Sequence, residues 1–323
     1  MFMKNQVKCE IDLTPFINTV EREHLNLFNC VVYQHGRLAA QKHWQPARRI
    51  DIRSGTKSFC STAAGFAIDE GLFSVEDYVA DCFPEDLPAN PSEYLKEMQL
   101  KHLLTMTMGF DHEQLMGAQR ASMKQTEDWV KFSLKQEVVY RPGEKFLYNN
   151  IGPYLIGVLI QRRAQMSLVD YLTPRLFEPL GIREVQTVER CPMGYDFGGS
   201  GLLLDVFEYA KLGLLYLQDG IWEGRQVLPK GWAKEAVTPR SYTVSTPTLP
   251  GYELCNDNTI GATYGYFFWI GPWSKWYFAC GANDQYCVVV PEKDAVIAVE
   301  AHVTQPGEPT IHAIAREIIP RLP

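Results

Sequence analysis

The chain holds 323 residues, 46% of them apolar and 21% charged, with a formal net charge of -7. That length suits two lobes or one oversized domain. No stretch approaches the roughly 18 apolar residues of a membrane span, which excludes a transmembrane helix, and the acidic balance without a Lys/Arg stripe excludes the electrostatic footprint of a nucleic-acid binder.

The N-terminal MFMKNQVKCEIDL has neither an apolar core nor a small-residue cleavage site, so the expected location is the cytoplasm. Eight cysteines (Cys9, Cys30, Cys60, Cys82, Cys191, Cys255, Cys280 and Cys287) form no C-x-x-C pair and have no histidine at metal-ligand spacing, so reduced structural thiols are expected. The sequence calls for no metal and no cofactor, and it does not set the oligomeric state.

In chain order, Thr14 followed by Pro15 marks a helix start, with Ile17 and Val20 on its apolar face. Asn29 to Gln34 and Arg37 to Trp44 flank His35-Gly36 and predict a β-hairpin. From Ser54 to about Glu70, Phe59, Ala63, Phe66 and Ala67 recur at helical spacing, predicting an amphipathic helix that Gly71 stops. Further helices are predicted over Leu95 to Met106, Thr126 to Gln136, Gly152 to Arg163, Leu168 to Leu176 and Val206 to Gln218, with a turn at Arg141-Pro142-Gly143.

The C-terminal part changes character. Tyr264 to Ile270, Trp276 to Cys280, Gln285 to Val290 and Ala295 to Ala301 are rich in aromatic and β-branched residues and predict four strands, with a turn from Pro291 to Asp294. A closing helix over Pro309 to Ile319 aligns Ile311, Ile314, Ala315 and Ile318. Strands at both ends with helices between predict an α/β (α+β) fold: a sheet lobe from residues 1–57 and 255–323, and a mainly helical lobe from 58–254. The cleft between them is the expected site.

Ser54-Gly55-Thr56-Lys57 places a hydroxyl and an amine one helical turn apart. A serine hydroxyl is a poor nucleophile until a base takes its proton, and a lysine serves as that base once burial or a neighbouring cation lowers its pKa. Such a spacing also arises by chance, with Ser54 as a helix cap and Lys57 as a solvated first-turn residue. Tyr148-Asn149-Asn150 reads as a core aromatic and a turn pair, or as a proton relay followed by an amide that binds substrate or holds Lys57.

The joint order decides between these readings. Ser54, Lys57, Tyr148-x-Asn150 and a strand glycine at Gly281 form the three-part signature of the penicillin-recognising serine hydrolases, and the chain resembles this family, in its branch of class C β-lactamases, D-Ala-D-Ala peptidases and related esterases and amidases. LKHLLTMTMGF, RPGEKFLYNNIGPYLIGVLI, LFEPLGI and GGSGLLLDVFEYAKLGLLYL agree with it, from about Val31 to Val303. The resemblance implies a β-lactamase/transpeptidase-like fold and acyl transfer through a covalent serine ester. By similarity Ser54 is the nucleophile, Lys57 and Tyr148 share general-base and general-acid work, Asn150 positions substrate, and the backbone N–H groups of Ser54 and Ala282 form the oxyanion hole.

The third motif departs from the family, which carries K-T-G or H-x-G where this chain reads Ala279-Cys280-Gly281. The cation that would grip a substrate carboxylate is missing, so the expected substrate is a small ester or amide. A β-lactam or D-Ala-D-Ala peptide is the alternative, with Lys275 or Arg240 supplying the charge; a non-catalytic binding protein that keeps the fold is another. Cys280 either faces the pocket or fills space, and Trp269, Trp273, Trp276 and Tyr277 either wall an acyl site or pack the sheet. No H-E-x-x-H, G-x-S-x-G or phosphate-cradling loop is present, Gly198-Gly199-Ser200-Gly201 lacking the needed spacing.

Overall fold

The computed structural model describes residues 11–123, 127–242, 263–271 and 275–323. Its centre is an eight-stranded sheet, antiparallel throughout, in the order Arg37–His43, Leu27–Gln34, Ala295–Ala301, Gln285–Val290, Tyr277–Gly281, Trp269–Ile270, Thr263–Tyr264 and Ser241–Tyr242. The first hairpin thus pairs directly with the last strand: Val31 faces Ala298 and Tyr33 faces Val296. Both ends of the chain contribute to one sheet, as the α/β reading expects.

The two strands beside the hairpin are buried at every position, so they show no polar alternation. Side chains of a strand point alternately to its two faces, and burial on both means that both faces are covered. On one face lies the helix Val206–Leu217, which packs on the strands Ala295–Ala301, Gln285–Val290 and Leu27–Gln34. Its Gly213 permits this approach: a Cβ there would stand 2.7 Å from Val296 Cγ1 and 2.8 Å from Cys287 Sγ. Asp205 starts the helix, its carboxylate accepting from the backbone N–H groups of Phe207 and Glu208, while the Glu208 side chain returns to the Asp205 N–H. At the termini, the helix Thr14–Arg22 packs on the helical run that begins at Pro309.

The helix at the SxxK motif differs from its predicted form. It spans Thr56–Asp69, begins after a 3-10 turn at Arg53–Gly55, and is buried from Thr56 through Ala67 instead of being amphipathic. Small residues explain this, since Ser58, Ser61, Ala63, Ala64 and Gly65 let neighbours close in on every side. A Cβ on Gly65 would lie 2.6 Å from the Trp232 ring, and the helix Ile151–Ala164 packs along another flank. Hydroxyls inside this core find carbonyls: Ser58 Oγ donates to Phe267 O at 2.8 Å and Thr62 Oγ1 to Ser58 O at 2.9 Å.

Other boundaries move for local reasons. Leu95 to Met106 is two short helices, Glu93–Glu97 and Leu100–Leu104, because Ser92 caps the first and Gln99, in extended conformation, starts the second. The predicted helix from Thr126 reduces to Trp129–Leu134, capped by Asp128; Thr126 itself lies outside the described residues. Leu168 to Leu176 is regular only to Leu172 and then widens into a π-type turn through Phe177, where Pro174 lacks the N–H a regular helix uses. The closing segment behaves alike, α-helical at Pro309–Ala313 and wider over Ile314–Ile318.

The Tyr264 to Ile270 segment is two strands, not one. Thr263–Tyr264 and Trp269–Ile270 pair antiparallel across a turn in which the Gly265 N–H donates to Phe268 O at 2.9 Å and Phe267 takes a φ of 58°. A small three-stranded sheet that the periodicity did not show joins Ile50–Asp51, Leu202–Leu204 and Gln186–Thr187. No helix among the described residues is long and apolar enough to cross a membrane.

Gly213→Val tests the sheet–helix contact. Valine recovers only a few tenths of a kcal/mol in helix propensity, whereas overpacking a filled core costs about 1–3 kcal/mol. The expected result is a lower urea midpoint with an unchanged slope; an unaltered midpoint contradicts the packing described.

Candidate active site

The small sheet sets the position of Ser54. Ile50 and Asp51 pair with Leu204 and Leu203, the Ile52 N–H donates to Leu202 O at 3.0 Å, and the chain then reverses through Arg53 in the left-handed region at φ 54°. A non-glycine residue pays about 1–2 kcal/mol for that conformation. Asp51 offsets the cost, accepting from the Arg53 N–H at 2.8 Å through Oδ1 and from the guanidinium at 2.8 Å through Oδ2. The turn delivers Ser54 immediately before the long helix without making it a cap, for the helix start carries no side-chain cap bond. Gly55 is required beside it, because a Cβ there would fall on the Tyr209 hydroxyl.

One turn on, Lys57 is 1% exposed. Its Nζ donates to Ser54 Oγ at 2.9 Å and to Gly199 O at 2.9 Å, and lies over the Tyr148 ring at 4.9 Å from its centroid. Burial, reinforced by the Arg120 charge, lowers the amine's pKa to about 7. The solvated first-turn lysine is therefore not what the fold contains. Asn150 was the other candidate to hold this amine, and the Gly199 carbonyl does so instead.

Burial raises the pKa of Tyr148 above the ordinary value, with nearby Ser54 acting in the opposite direction, so the phenol keeps its proton at neutral pH. Its ring is fixed by stacking on Trp269 (centroids 5.6 Å apart, 23° between planes) and by the edge of Tyr264 at 6.4 Å. Ser54 thus stands between an amine and a phenol. After Tyr148 the chain enters the helix Ile151–Ala164, where Asn149 Oδ1 accepts from the Ile151 N–H at 2.9 Å. Asn150 is 5% exposed; its Nδ2 donates to Leu115 O at 2.9 Å, and its Oδ1 is buried with no partner among the described residues.

The third motif lies on the strand Tyr277–Gly281, which passes close to the Ser54 turn. A Cβ on Gly281 would fall on the Ile52 carbonyl oxygen and lie 3.1 Å from Arg53 Cβ, so only glycine permits the approach. Ala282 follows as an exposed residue opening the turn to the strand Gln285–Val290, in which Asn283 and Asp284 take φ of 64° and 66°. Cys280 is partly buried opposite Tyr286. Burial, with the Glu308 and Asp284 carboxylates, pushes its thiol well above the usual range, although Lys57 pulls the other way. That thiol is protonated and no nucleophile at neutral pH.

Neither candidate replacement cation is at the site by its contacts. Lys275 is exposed with Nζ 3.7 Å from Glu292, and Arg240 pairs with Glu235 and covers the Tyr266 ring at 4.3 Å. Of the aromatic cluster, Trp269 reaches Tyr148, whereas Trp276 stacks on Phe278 at 5.4 Å and Tyr277 meets the edge of Phe268. Trp273, like Cys9 and Cys255, lies outside the described residues.

Sequence reasoning set aside the segment 198–201 as a failed phosphate loop, yet its Gly199 carbonyl holds Lys57. The dense glycines were the available signal. A Cβ on Gly198 would fall on Pro153 O, and one on Gly199 would stand 3.1 Å from Asn150 Oδ1. Ser200 within that segment, and Arg120 and Glu189 that bond to it, were also missed.

Comparison with known proteins bears on the fold and the family. The chain is 23% identical over 217 residues to Protein flp of Staphylococcus aureus (strain MW2), an alignment covering 61% of this chain and only 43% of that protein. Among solved structures, the octameric penicillin-binding protein homologue of Pyrococcus abyssi superposes with a TM-score of 0.71 at 19% identity, over 93% of this chain and 74% of that one. EstCE1, a hydrolase with promiscuous acyltransferase activity, gives 0.73 at 14% identity over 94% and 97%. At such identities these structures establish the fold, a β-lactamase/transpeptidase fold. The family model described as Beta-lactamase matches residues 29–190, half of the chain, and the protein belongs to the beta-lactamase family.

Proposed function

We propose that the protein is a serine hydrolase that cleaves small esters or amides through a covalent acyl-enzyme, with no metal or cofactor. The observation that carries this reading is the buried Lys57 amine 2.9 Å from Ser54 Oγ, its pKa lowered to about 7. A neutral amine at that distance accepts the serine proton as Oγ forms its bond to the substrate carbonyl carbon. The carbonyl π electrons move onto oxygen, and the backbone N–H groups of Ser54 and Ala282 receive the oxyanion. The close pass of Gly281 along the Ser54 turn supports that pairing.

Collapse of the tetrahedral intermediate breaks the bond to the leaving group, which takes a proton from Tyr148 as Tyr148 recovers one from the Lys57 ammonium. Water then attacks the ester with the same groups used in reverse. The raised pKa of Tyr148 suits a relay and not a standing phenolate base, so Lys57 is the base. Asn150, whose Nδ2 donates to Leu115 O and whose Oδ1 is buried beside Gly199, positions the substrate by similarity to the family.

The surrounding charge supports neutral substrates. At the position where a carboxylate-gripping cation is absent, the charges acting on Cys280 include the carboxylates of Glu308 and Asp284. A substrate carboxylate would meet repulsion there.

Three measurements test the proposal. Ser54→Ala should lower turnover of a chromogenic short-acyl ester by at least about a thousandfold and remove the acyl adduct from the intact-protein mass spectrum; full retention of activity rejects Ser54. For wild type, kcat/KM should fall about tenfold per pH unit below about pH 7 and level off above it, because Lys57 must be neutral to act; a profile flat through pH 5–8 rejects Lys57 as base. Of two size-matched esters, the neutral one should exceed the carboxylate-bearing one by about tenfold or more. Stoichiometric acylation of Ser54 by a penicillin would reverse that preference and favour the β-lactam reading, and an inert protein across esters, amides and lactams would favour a binding role.

A further inference from the structure

We infer that Arg120 is a positioning residue for the Ser54–Lys57 pair, tying together the two backbone segments that flank it. The inference rests on the acyl-enzyme reading above for its functional meaning, and on the following geometry for its substance. Arg120 belongs to the short helix Gly117–Ser122, none of whose residues is fully buried, yet its side chain is only 12% exposed. The guanidinium lies over the Phe197 ring at 4.2 Å. Its Nη1 donates to Leu115 O at 2.5 Å, and its Nη2 donates to Glu189 Oε2 at 2.7 Å and to Ser200 Oγ at 3.2 Å. Ser200 Oγ in turn donates to the same Glu189 oxygen at 2.6 Å.

Each end of this fork leads to the site. Leu115 O is the carbonyl that also accepts from Asn150 Nδ2 at 2.9 Å, and Leu115 itself is held at a φ of 53°. Ser200 directly follows Gly199, whose carbonyl accepts from Lys57 Nζ at 2.9 Å. One rigid, planar cation therefore spans the Asn150 support and the Lys57 support. A lysine in its place has a single point charge and cannot reproduce both directions.

The charge also matters. Among the groups acting on Lys57, Arg120 opposes the ammonium and Glu189 favours it; the nearby Cys280 and Cys60 thiols have pKa values raised by burial and stay protonated, and Ser54 and the Tyr148 ring touch the amine directly. Burial is the larger cause of the lowered pKa, and Arg120 adds to it. The Glu189 carboxylate partly cancels that contribution, so the pair works as an adjustable bias on the amine.

The test uses the full chain and the variants Arg120→Met, Arg120→Lys and Glu189→Gln, each checked for folding by circular dichroism and urea midpoint. Two readouts are taken: the pH profile of Ser54 acylation by an activated short-acyl ester, and the titration midpoint of Lys57 by NMR of protein labelled with 13C at lysine Cε. Arg120→Met should raise the Lys57 midpoint and the acid limb by about one pH unit. Arg120→Lys should leave the midpoint within a few tenths of a unit but lower the plateau rate by about tenfold. Glu189→Gln should move the midpoint downward, which keeps the inference testable if the arginine variants fail to fold. Folded variants with wild-type midpoints and plateaus overturn it. If wild type is never acylated yet the NMR midpoints move as stated, the coupling of Arg120 to Lys57 stands and the hydrolase reading is what fails.

Discussion

A lysine amine kept out of water is the condition on which the rest of this molecule depends. Burial alone makes an ammonium costly, and the fold meets that cost by letting Lys57 discharge near neutrality and by giving its nitrogen two oxygen partners, Ser54 Oγ and Gly199 O. The helix that carries it is buried along most of its length, its own small residues letting neighbours such as the Trp232 ring close in. An ordinary amphipathic helix would have left its first turn wet, and a wet lysine is a cation with no capacity to accept a proton.

Close backbone approach is the second constraint, and it explains where glycine is obligatory. Gly281 passes the Ile52 carbonyl, Gly55 passes the Tyr209 hydroxyl, and Gly198 passes the Pro153 carbonyl. Each removes the one atom that would push apart two segments distant in sequence. Ser54 is consequently surrounded by groups brought from four parts of the chain: its own turn, the Tyr148 segment, the 198–201 loop and the strand ending at Gly281.

What the sequence made legible follows from this. Ser54, Lys57 and Tyr148 could be found because their order and spacing form a family signature, and the long helices Thr56–Asp69, Ile151–Ala164 and Val206–Leu217 because apolar residues run through them at helical spacing. Gly265 inside an aromatic run carried the signal of a turn, but strand propensity outweighed it and one strand was predicted where two exist. Asn150 was placed at the site without its true partner, since the Leu115 carbonyl lies 35 positions away and bears no side-chain mark. Arg120 was invisible for the same reason: its meaning resides in carbonyls and a serine that only the fold assembles. Trp269 could not be told from Trp276 by sequence, because both fall in segments of strand composition and only the fold decides which ring meets Tyr148.

The pass of Gly281 along Ile52 ties the Ser54 turn to the interior of the large sheet. The strand that ends there belongs to the sheet shared by both chain ends, and the turn it touches carries Ser54. That strand is internal to the sheet, paired with Trp269–Ile270 on one side and Gln285–Val290 on the other, so its contact with the Ser54 turn is lost only when interior pairing of the sheet is lost. The Ser54 turn therefore shares the stability of the sheet's interior, and the outer strands can fray without displacing it.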